Sequence, residues 1–365
     1  MIVVSANSCW YIVNFRFGLI QALRDNGYRI TVVAPADGYS SKLGEIGVAF
    51  VPLAINSAGV SVAEDAWLFV RYLKILRDLK PFAYLGFTAK PNIYGSLAAR
   101  AVGARVINNV SGLGTVFIKR GPLTLLVGQL YRFSFRTSSR VFFENHDDME
   151  LFIGKGTVRP GQAALLPGAG VDLARFKPGP EARQAGPFRF LLVARLLWDK
   201  GVAEYVEAAR IVRALHPDVR CQILGPVGVN NRTAVPSADL ERWRAENVIE
   251  YLGESDDVRI AMEQADCIVL PSYREGLSRA LLEGSAMGKP LIASDVPGCR
   301  DVVVDGETGY LCEVRSAKAL AAAMLKMLAA APAERRKMGE RGRRKVEQEF
   351  CETRVVAKYL DALGT

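Results

Sequence analysis

The sequence predicts an α/β protein made of two doubly wound domains in tandem. Apolar runs of four to seven residues alternate with amphipathic stretches of 10 to 15 residues, a pattern typical of strand–helix–strand units around a parallel sheet. The chain has 365 residues, which is long for one domain and ordinary for two. A stretch rich in proline and glycine, residues 176–187, separates the two series and is interpreted as a linker.

Each series supplies five predicted strands. In the first half these are residues 1–4, 29–33, 83–86, 105–108 and 141–144. In the second half they are residues 188–193, 219–224, 248–252, 267–271 and 290–293. Helices are predicted over residues 15–26, 66–79 and 350–363. Ligands of such folds lie beyond the carboxyl ends of the strands, so we expect the site in a cleft between the domains.

The composition is that of a folded protein. Half of the residues are hydrophobic and 23% are charged. The six cysteines are scattered without a metal-like cluster, which favours reduced thiols in a cytosolic protein. No basic-then-apolar leader opens the sequence, and no apolar run reaches the roughly 18 residues of a membrane span. We therefore expect neither export nor a transmembrane segment.

Positive charge is concentrated in the first half of the chain. Residues 1–175 contain 19 lysines and arginines against 11 acidic residues, so they carry +8 of the net +9. A one-sided basic surface suits an anionic partner, either phospholipid head groups or nucleic acid. A merely solubilising surface is the alternative interpretation.

The densest chemical signal is residues 271–290, a strand end followed by a Glu-Gly turn and a helix. Glu275 is expected in the loop, where its carboxylate can meet a ligand hydroxyl, and Glu283 about two turns into the helix. The amide groups near residues 276–279 would point at an anion. Two glutamates eight positions apart also occur by chance, but this pair follows a buried strand. The segment therefore predicts a diphosphate site with a sugar-facing carboxylate.

A second strand–loop–helix segment, residues 190–201, contains Arg195 and Lys200 at the carboxyl end of a strand. A departing nucleoside diphosphate gains negative charge, and fixed cations aimed at it lower the barrier. Many transferases use a metal held by an Asp-x-Asp pair for this purpose, whereas no two aspartates stand two apart in this sequence. We therefore expect Arg195 and Lys200 to do this work without a metal. Two exposed loop cations without a ligand are the alternative.

These two segments resemble the donor site of family-4 retaining glycosyltransferases of the GT-B fold, and the resemblance covers essentially the whole chain. Residues 167–176 at the domain junction and 251–253 before the nucleotide loop add to it. The resemblance implies two Rossmann-like domains facing a central cleft. Residues 1–173 would bind the acceptor and residues 174–349 a nucleotide sugar, with the terminal helix 350–365 packing back on the first domain.

The resemblance also implies roles for individual residues of the donor site. Arg195 and Lys200 would hold the diphosphate, Glu275 the donor sugar and Glu283 the ribose. The remaining predicted nucleotide-binding residues are Gly253, Gly276 and Leu277.

Within that family the sequence is most similar to bacterial transferases that add an N-acetylhexosamine to a sugar on undecaprenyl diphosphate. Residues 14–16, 90–92 and 111–115 carry this similarity, and each follows a predicted strand. The acceptor-binding residues that it implies are Asn14, Arg16, Lys90, Asn92, Ser111 and Gly112. Arg16 and Lys90 suit a lipid diphosphate. Loops of this composition also merely close turns, which is the alternative for all three segments.

The sequence departs from the wider family where a His-Gly pair commonly follows the fourth strand, because Ser111 and Gly112 stand there. A histidine general base is therefore not expected. His146 is predicted to cap a helix and His216 to end one. Since no carboxylate is placed as a nucleophile, we favour front-face attack in which the leaving phosphate oxygen takes the acceptor proton.

Residues 116–140 interleave aromatic and aliphatic side chains with five cations. This pattern is typical of an amphipathic segment at a membrane interface. A core helix with a basic outer face is the alternative.

The function predicted with the resemblance is retaining, metal-independent transfer of a hexose or N-acetylhexosamine. The donor would be a UDP-sugar and the acceptor a polyprenyl-diphosphate-linked saccharide, at the cytoplasmic face of a bacterial plasma membrane and in surface-glycan or glycoprotein-glycan assembly. No cofactor is expected. The alternatives are a transferase for another sugar or lipid, a GT-B-like UDP-sugar epimerase, a nucleic-acid-binding protein and a non-catalytic relative. The cations are dispersed along the sequence and no nucleic-acid-binding motif is present, which argues against a nucleic-acid-binding protein.

Overall fold

The computed structural model describes residues 1–56, 59, 61–112, 122–179, 186–229 and 231–364, without the side chains of residues 122–124. The chain forms two compact units. Unit 1 comprises Met1–Gly170 and Glu352–Thr365, and unit 2 comprises Val171–Cys351. The predicted boundary after residue 173 thus lies three residues beyond the observed one.

Unit 1 is built on a seven-stranded parallel sheet. The strands are β1 Ile2–Ser5, β2 Ile30–Ala34, β3 Ala49–Pro52, β4 Ala83–Phe87, β5 Arg105–Val110, β6 Arg140–Phe143 and β7 Ala163–Leu165. Their order is β3-β2-β1-β4-β5-β6-β7, with Val3 of β1 opposite Thr31 of β2 and Tyr84 of β4. The order reverses between β1 and β4, which makes their carboxyl ends the topological switch point of this sheet.

Helices cover both faces of this sheet. They are α1 Cys9–Phe15, α2 Phe17–Asp25, α3 Ser40–Glu45, α4 Val62–Leu79, α5 Ser96–Ala101, α6 Pro122–Phe135 and α7 His146–Gly154. Because side chains alternate along a strand, Val3 and Tyr84 pack with Tyr72 of α4 on one face, while Ile2 and Val4 join the core of the other face. Central strands buried on both faces explain the unbroken apolar runs that predicted them.

Two helices of unit 1 differ from their predictions. The helix predicted over residues 15–26 is α2, which begins at Phe17 because Arg16, with a non-helical φ of −130°, separates it from α1, a helix that was not predicted. The helix predicted from residue 66 begins at Val62, because the Ser61 side chain accepts a hydrogen bond from Glu64 N and caps an earlier turn. His146 is the first residue of α7 rather than its cap, a role that the Asn145 side chain takes by accepting from Asp148 N at 2.8 Å.

Unit 2 repeats the architecture with a six-stranded parallel sheet. Its strands are β8 Arg189–Val193, β9 Arg220–Leu224, β10 Glu250–Tyr251, β11 Cys267–Leu270, β12 Leu291–Ser294 and β13 Gly309–Cys312. Its helices are α8 Val202–Leu215, α9 Ser237–Ala245, α10 Arg259–Gln264, α11 Arg279–Ala286, α12 Ala317–Ala329 and α13 Pro332–Glu349. The strand order β10-β9-β8-β11-β12-β13 reverses between β8 and β11. His216 is the C-cap of α8, which confirms its predicted place at a helix end.

The last helix, α14 Glu352–Leu363, belongs to unit 1 although unit 2 precedes it in the chain. Its Val355, Tyr359 and Leu363 recur every four residues and are at most 2% exposed in the core beneath the sheet. At its start, Glu352 fills the space above two glycines, Gly18 and Gly170, where an added Cβ would lie within 2.6 Å of Glu352 atoms. The helix therefore completes the core of unit 1.

Within the described ranges, no helix combines the length and the apolar character that a membrane crossing requires.

Candidate active site

The loops that follow β8 and β11 lie side by side at the switch point of unit 2. The two strands are paired, with Phe190 opposite Cys267. Arg195 and Lys200 lie in the loop after β8, and Glu275 lies in the loop after β11. Open α/β sheets bind ligands at this position, where the loops of neighbouring strands diverge.

Lys200 and Glu275 form an ion pair at this point, with 2.5 Å between Nζ and Oε1. Their side chains are 22% and 12% exposed, so the pair is partly sheltered and still open to a ligand. The side chain of Arg195 is exposed two residues beyond the end of β8 and does not join this ion pair. The structure thus brings two of the three predicted catalytic residues into contact.

One backbone carbonyl oxygen of the β8 loop accepts two hydrogen bonds from the β11 loop. Asp199 O accepts hydrogen bonds from Tyr273 N at 2.9 Å and from Ser272 Oγ at 3.1 Å. Gly201 permits this approach because its φ is +71° and a Cβ there would lie 2.0 Å from Pro271 O. The position of Lys200 is therefore determined by the neighbouring strand as well as by its own.

Tyr273 adds a side-chain link that the sequence did not predict. Its hydroxyl donates to Glu204 Oε1 of α8 at 2.7 Å, and the guanidinium of Arg315 lies 4.5 Å from its ring centroid. Burial, together with the hydrogen bond to Glu204, raises the pKa of Tyr273 above its ordinary value, so the hydroxyl stays protonated and keeps donating. Glu204 and Arg315 lie far from residue 273 in the sequence, and no motif marks either of them.

The Glu275-Gly276 turn is held by the loop after β12. Glu275 N donates to Pro297 O and Ser278 N donates to Gly298 O, each at 3.2 Å. Gly298 has a φ of +77°, and a Cβ there would lie 2.5 Å from Gly276 O. The predicted amide groups of Gly276 and Leu277 therefore lie between two fixed points of the backbone.

Helix α11 begins at Arg279, and the Ser278 side chain caps it by accepting from Leu281 N at 3.3 Å. Glu283 is thus the fifth residue of the helix, little more than one turn from its start, rather than the two turns predicted. Its side chain is 8% exposed, and its carboxylate is paired with Nε of Arg279. Burial raises the pKa of Glu283 above its ordinary value, and the nearby Arg279 opposes that rise.

Gly253 lies two residues after β10, at the edge of the same sheet. Its φ is +81°, and its carbonyl oxygen accepts from Gly225 N at 2.8 Å. Strand order places β9 between β10 and β8, so Gly253 belongs to the outer part of the carboxyl edge.

In unit 1 the structure corrects the role predicted for Arg16. Its side chain is 1% exposed, and Nη2 donates to Tyr11 Oη at 2.7 Å, to Glu144 Oε1 at 3.1 Å and to Ser111 Oγ at 3.3 Å. The guanidinium carbon lies 4.5 Å from the ring centroid of Phe87. A side chain enclosed in this way does not present its charge to a lipid diphosphate, and it fixes Ser111 instead.

Asn92 is likewise enclosed rather than exposed to an acceptor. It is 1% exposed, its Nδ2 donates to Asn109 O at 2.7 Å, and its Oδ1 accepts from Asn108 at 2.9 Å. These bonds fasten the chain after β4 to β5. The amide of Asn92 therefore has a structural role that the loop composition left open.

The other predicted acceptor residues are more accessible. The side chain of Lys90 is 12% exposed and pairs with Asp65 at 2.5 Å between Nζ and Oδ1. Asn14 donates to Trp10 O at 2.9 Å within α1. Gly112 has a φ of +107°, and residues 113–115 of this predicted segment lie outside the described residues.

Comparisons with known proteins agree with this architecture. A family model described as "Glycosyl transferase 4-like" matches residues 2–145, and one described as "Glycosyl transferases group 1" matches residues 175–345. The chain is 27% identical over 327 residues to the N,N'-diacetylbacillosaminyl-diphospho-undecaprenol alpha-1,3-N-acetylgalactosaminyltransferase of Campylobacter jejuni, covering 85% of this chain and 84% of that protein. It is also 27% identical to the UDP-Gal:alpha-D-GlcNAc-diphosphoundecaprenol alpha-1,3-galactosyltransferase of Escherichia coli, over 73% of this chain and 70% of that protein.

The fold also matches solved structures. HepE of Anabaena, solved in complex with UDP and glucose, superposes with a TM-score of 0.82 over 100% of this chain and 99% of its own, at 18% identity. WaaG, described as a glycosyltransferase involved in lipopolysaccharide biosynthesis, has a TM-score of 0.78 over 100% of this chain and 99% of its own, at 15% identity. These likenesses confirm the predicted fold class. The chain is a glycosyltransferase of the GT-B fold, with a glycosyl transferase 4-like domain followed by a glycosyl transferases group 1 domain.

Proposed function

We propose that this glycosyltransferase moves a hexose or N-acetylhexosamine from a UDP-sugar to a saccharide carried on undecaprenyl diphosphate in bacterial glycan assembly. The observation that carries the proposal is the accessible Lys200–Glu275 pair at the switch point of unit 2. The two named transferases act on undecaprenyl-diphosphate-linked sugars, and HepE was solved with UDP, which supports these substrate classes.

The proposed chemistry uses the cations of the β8 loop. As the bond to the donor sugar breaks, the ammonium of Lys200 and the exposed guanidinium of Arg195 stabilise the charge that gathers on the leaving diphosphate. Glu275 holds a hydroxyl of the donor sugar, and the carboxylate of Glu283 holds the ribose. We propose that no metal ion takes part.

Retention of configuration is part of the same proposal. The carboxylate of Glu275 already accepts from Lys200, which supports a role in binding rather than in nucleophilic attack. The acceptor hydroxyl would then attack from the face that the diphosphate leaves, and a phosphate oxygen would take its proton.

We further propose that the enzyme contacts the cytoplasmic face of the plasma membrane through α6. Leu125, Leu126 and Phe133 of this helix are 73%, 50% and 58% exposed. Arg132 and Arg136 are exposed beside them. Exposed apolar side chains bordered by cations suit the boundary of an anionic bilayer. Residues 116–121 of the predicted membrane segment lie outside the described residues.

The deciding experiment supplies the purified enzyme with radiolabelled UDP-sugars and bacterial lipid extract, with and without EDTA. We expect label to pass into the organic phase under both conditions. Transfer that EDTA abolishes would refute the metal-free proposal. Label that enters only water-soluble products would refute the lipid acceptor, and conversion of the nucleotide sugar without any acceptor would favour the epimerase alternative.

Lys200→Ala tests the donor site directly. Removing one group that stabilises transition-state charge costs about 2.7 to 4 kcal/mol, so turnover should fall roughly 100- to 1,000-fold. The matched control is Lys337→Ala, which removes an exposed lysine of α13 in the same unit and should leave turnover unchanged. Full activity of the Lys200 variant would dismiss the donor assignment.

A further inference from the structure

A groove with a volume of about 680 Å³ lies at the carboxyl edge of the unit 1 sheet. We call it the Trp67 groove. Its lining includes Pro35, Ile55, Asn56, Asp65, Trp67 and Lys90. These residues follow β2, β3 and β4 or lie in the first turns of α4. Its volume is within the range of roughly 300 to 1,000 Å³ that is typical of small-molecule sites.

One wall of the groove is an exposed aromatic ring. Trp67 is 66% exposed although it is one of the largest apolar side chains in the chain. Leu68, the next residue of α4, is 5% exposed and also lines the groove, so α4 turns one apolar side chain inward and leaves the indole accessible. An indole offers a flat apolar face together with one N–H donor.

Several polar groups of the groove are paired with one another. Lys90 Nζ lies 2.5 Å from Asp65 Oδ1, and Tyr94 Oη donates to Asp65 Oδ2 at 2.8 Å. Asn56 Nδ2 donates to Glu64 Oε2 at 3.0 Å. A ligand hydroxyl can both donate to such carboxylates and accept from the ammonium or amide beside them.

The charged side chains that line the groove have a net charge of zero. Its charged lining residues are Glu64, Asp65, Lys90 and Arg71, two of each sign. Because these charges cancel, the groove offers a diphosphate no net attraction, and four charged groups would lose hydration beneath an isoprenoid chain. An uncharged ligand with several hydroxyls and one apolar face meets neither obstacle.

We propose that the Trp67 groove binds a neutral sugar ring of the lipid-linked acceptor, with its C–H face on the indole and its hydroxyls at the Asp65–Lys90 pair. This inference deepens the proposed function and rests on it. It also gives Lys90 a role in sugar recognition in place of the predicted diphosphate contact.

The test measures binding of two soluble probes to the full chain by saturation-transfer NMR. One probe is the set of methyl α-glycosides of glucose, N-acetylglucosamine and N-acetylgalactosamine, and the other is farnesyl diphosphate. We expect at least one glycoside to bind and Trp67→Ala to weaken that binding about tenfold, while Trp67→Phe retains most of it. Phe82→Ala is the matched control, because Phe82 is 50% exposed at the opposite, amino end of β4.

The inference is wrong if no glycoside binds, or if Trp67→Ala leaves glycoside binding unchanged. It is also wrong if farnesyl diphosphate is the probe whose binding depends on Trp67. Transfer to lipid extract, measured in parallel, separates the two proposals. If transfer proceeds equally with and without Trp67, the sugar-binding role of the groove is refuted and the proposed function stands. If a glycoside binds but no lipid-linked product forms, the proposed acceptor is refuted and the groove remains a sugar site.

Discussion

The two units share a strand order around a central pair of strands, β1 and β4 in one and β8 and β11 in the other. Each also places a cation and a carboxylate in contact beyond the carboxyl ends of its strands. The Arg16–Glu144 pair of unit 1 is 1% and 7% exposed, whereas the Lys200–Glu275 pair of unit 2 is 22% and 12% exposed. The same topology thus produces an enclosed ion pair in one unit and a more accessible pair in the other.

Enclosure accounts for the difference. Tyr11, Ser111 and Phe87 surround the guanidinium of Arg16, and two of its nitrogens, Nε and Nη1, are buried without a hydrogen-bond partner. Burial raises the pKa of Glu144 above its ordinary value, and the charge of Arg16 opposes that rise. A pair held under these conditions is costly to build and costly to break.

The largest expected effect follows from breaking the enclosed pair. Arg16→Met leaves Glu144 buried without its partner and should lower the free energy of unfolding by about 3 to 5 kcal/mol, measured by urea unfolding. Lys200→Met should cost clearly less stability, because Glu275 can be hydrated after the change. Arg77→Met, at an exposed arginine of α4, is the control for lost charge in unit 1. Equal losses of unfolding free energy in the Arg16→Met and Lys200→Met variants would show that the two pairs do not differ in this way.

An intermediate effect is expected at the glycine that supports the Glu275-Gly276 turn. Gly298→Ala places a methyl group 2.5 Å from Gly276 O, whereas Gly306→Ala, at nearly the same φ, meets no atom within 4 Å. Both variants carry a backbone cost of about 1 to 2 kcal/mol, and overpacking should add about 1 to 3 kcal/mol for Gly298 alone.

Thermal unfolding measures this difference in stability, and calorimetric titration with UDP measures its effect on the site. We expect UDP affinity to fall only in the Gly298 variant. If the Gly306→Ala variant binds UDP as weakly as the Gly298→Ala variant, the turn does not depend on the close approach of Gly298 to Gly276 O.

The smallest expected effect is a pH dependence of nucleotide binding. The raised pKa of Glu283 means that its carboxylate gains a proton at a pH above 4.5 as the solution is acidified. The proposed bond to the ribose should then weaken by roughly 1 kcal/mol, which is a few-fold increase in the dissociation constant of UDP. In the Glu283→Gln variant this pH-dependent change in UDP affinity should be absent. Identical pH profiles for the two proteins would exclude Glu283 from the binding site.

Folding stability should respond to Glu283 with the opposite sign. A raised pKa in the folded state stabilises the protonated form, so this contribution is complete at pH values below 4.5 and is lost as the pH rises through the folded-state pKa. Comparing the wild-type and Glu283→Gln unfolding curves across this range checks the sign.

The sequence predicted the central strands well and missed three strands at the edges of the sheets. Predicted and observed bounds of β4, β9 and β11 differ by one residue at most. The missed strands are β3 and β7, the two edges of the first sheet, and β13, one edge of the second. The apolar pattern of β3 and β7 is weak because these strands are only partly buried, whereas β13 is mostly buried and begins with a glycine that carries no apolar side chain.

The proximity of the predicted donor residues was more predictable than the contacts of the predicted acceptor residues for a related reason. Lys200 and Glu275 each follow a strand within one short motif, and parallel strands bring such loops to one edge. Arg16 is enclosed because it bonds to Glu144, 128 residues away in the sequence. Asn92 is enclosed because it bonds to Asn108 and Asn109 of β5. Local patterns contain no information about which distant side chains will enclose a polar group.

The return of α14 to unit 1 has a consequence for the order of synthesis. Unit 2 is continuous in the chain and is complete once residue 351 has emerged from the ribosome. Unit 1 starts first but still lacks Val355, Tyr359 and Leu363, three buried residues of its core. Unit 1 begins before unit 2 in the chain and is completed after it, and until α14 emerges the apolar side chains that this helix covers remain exposed and prone to aggregation.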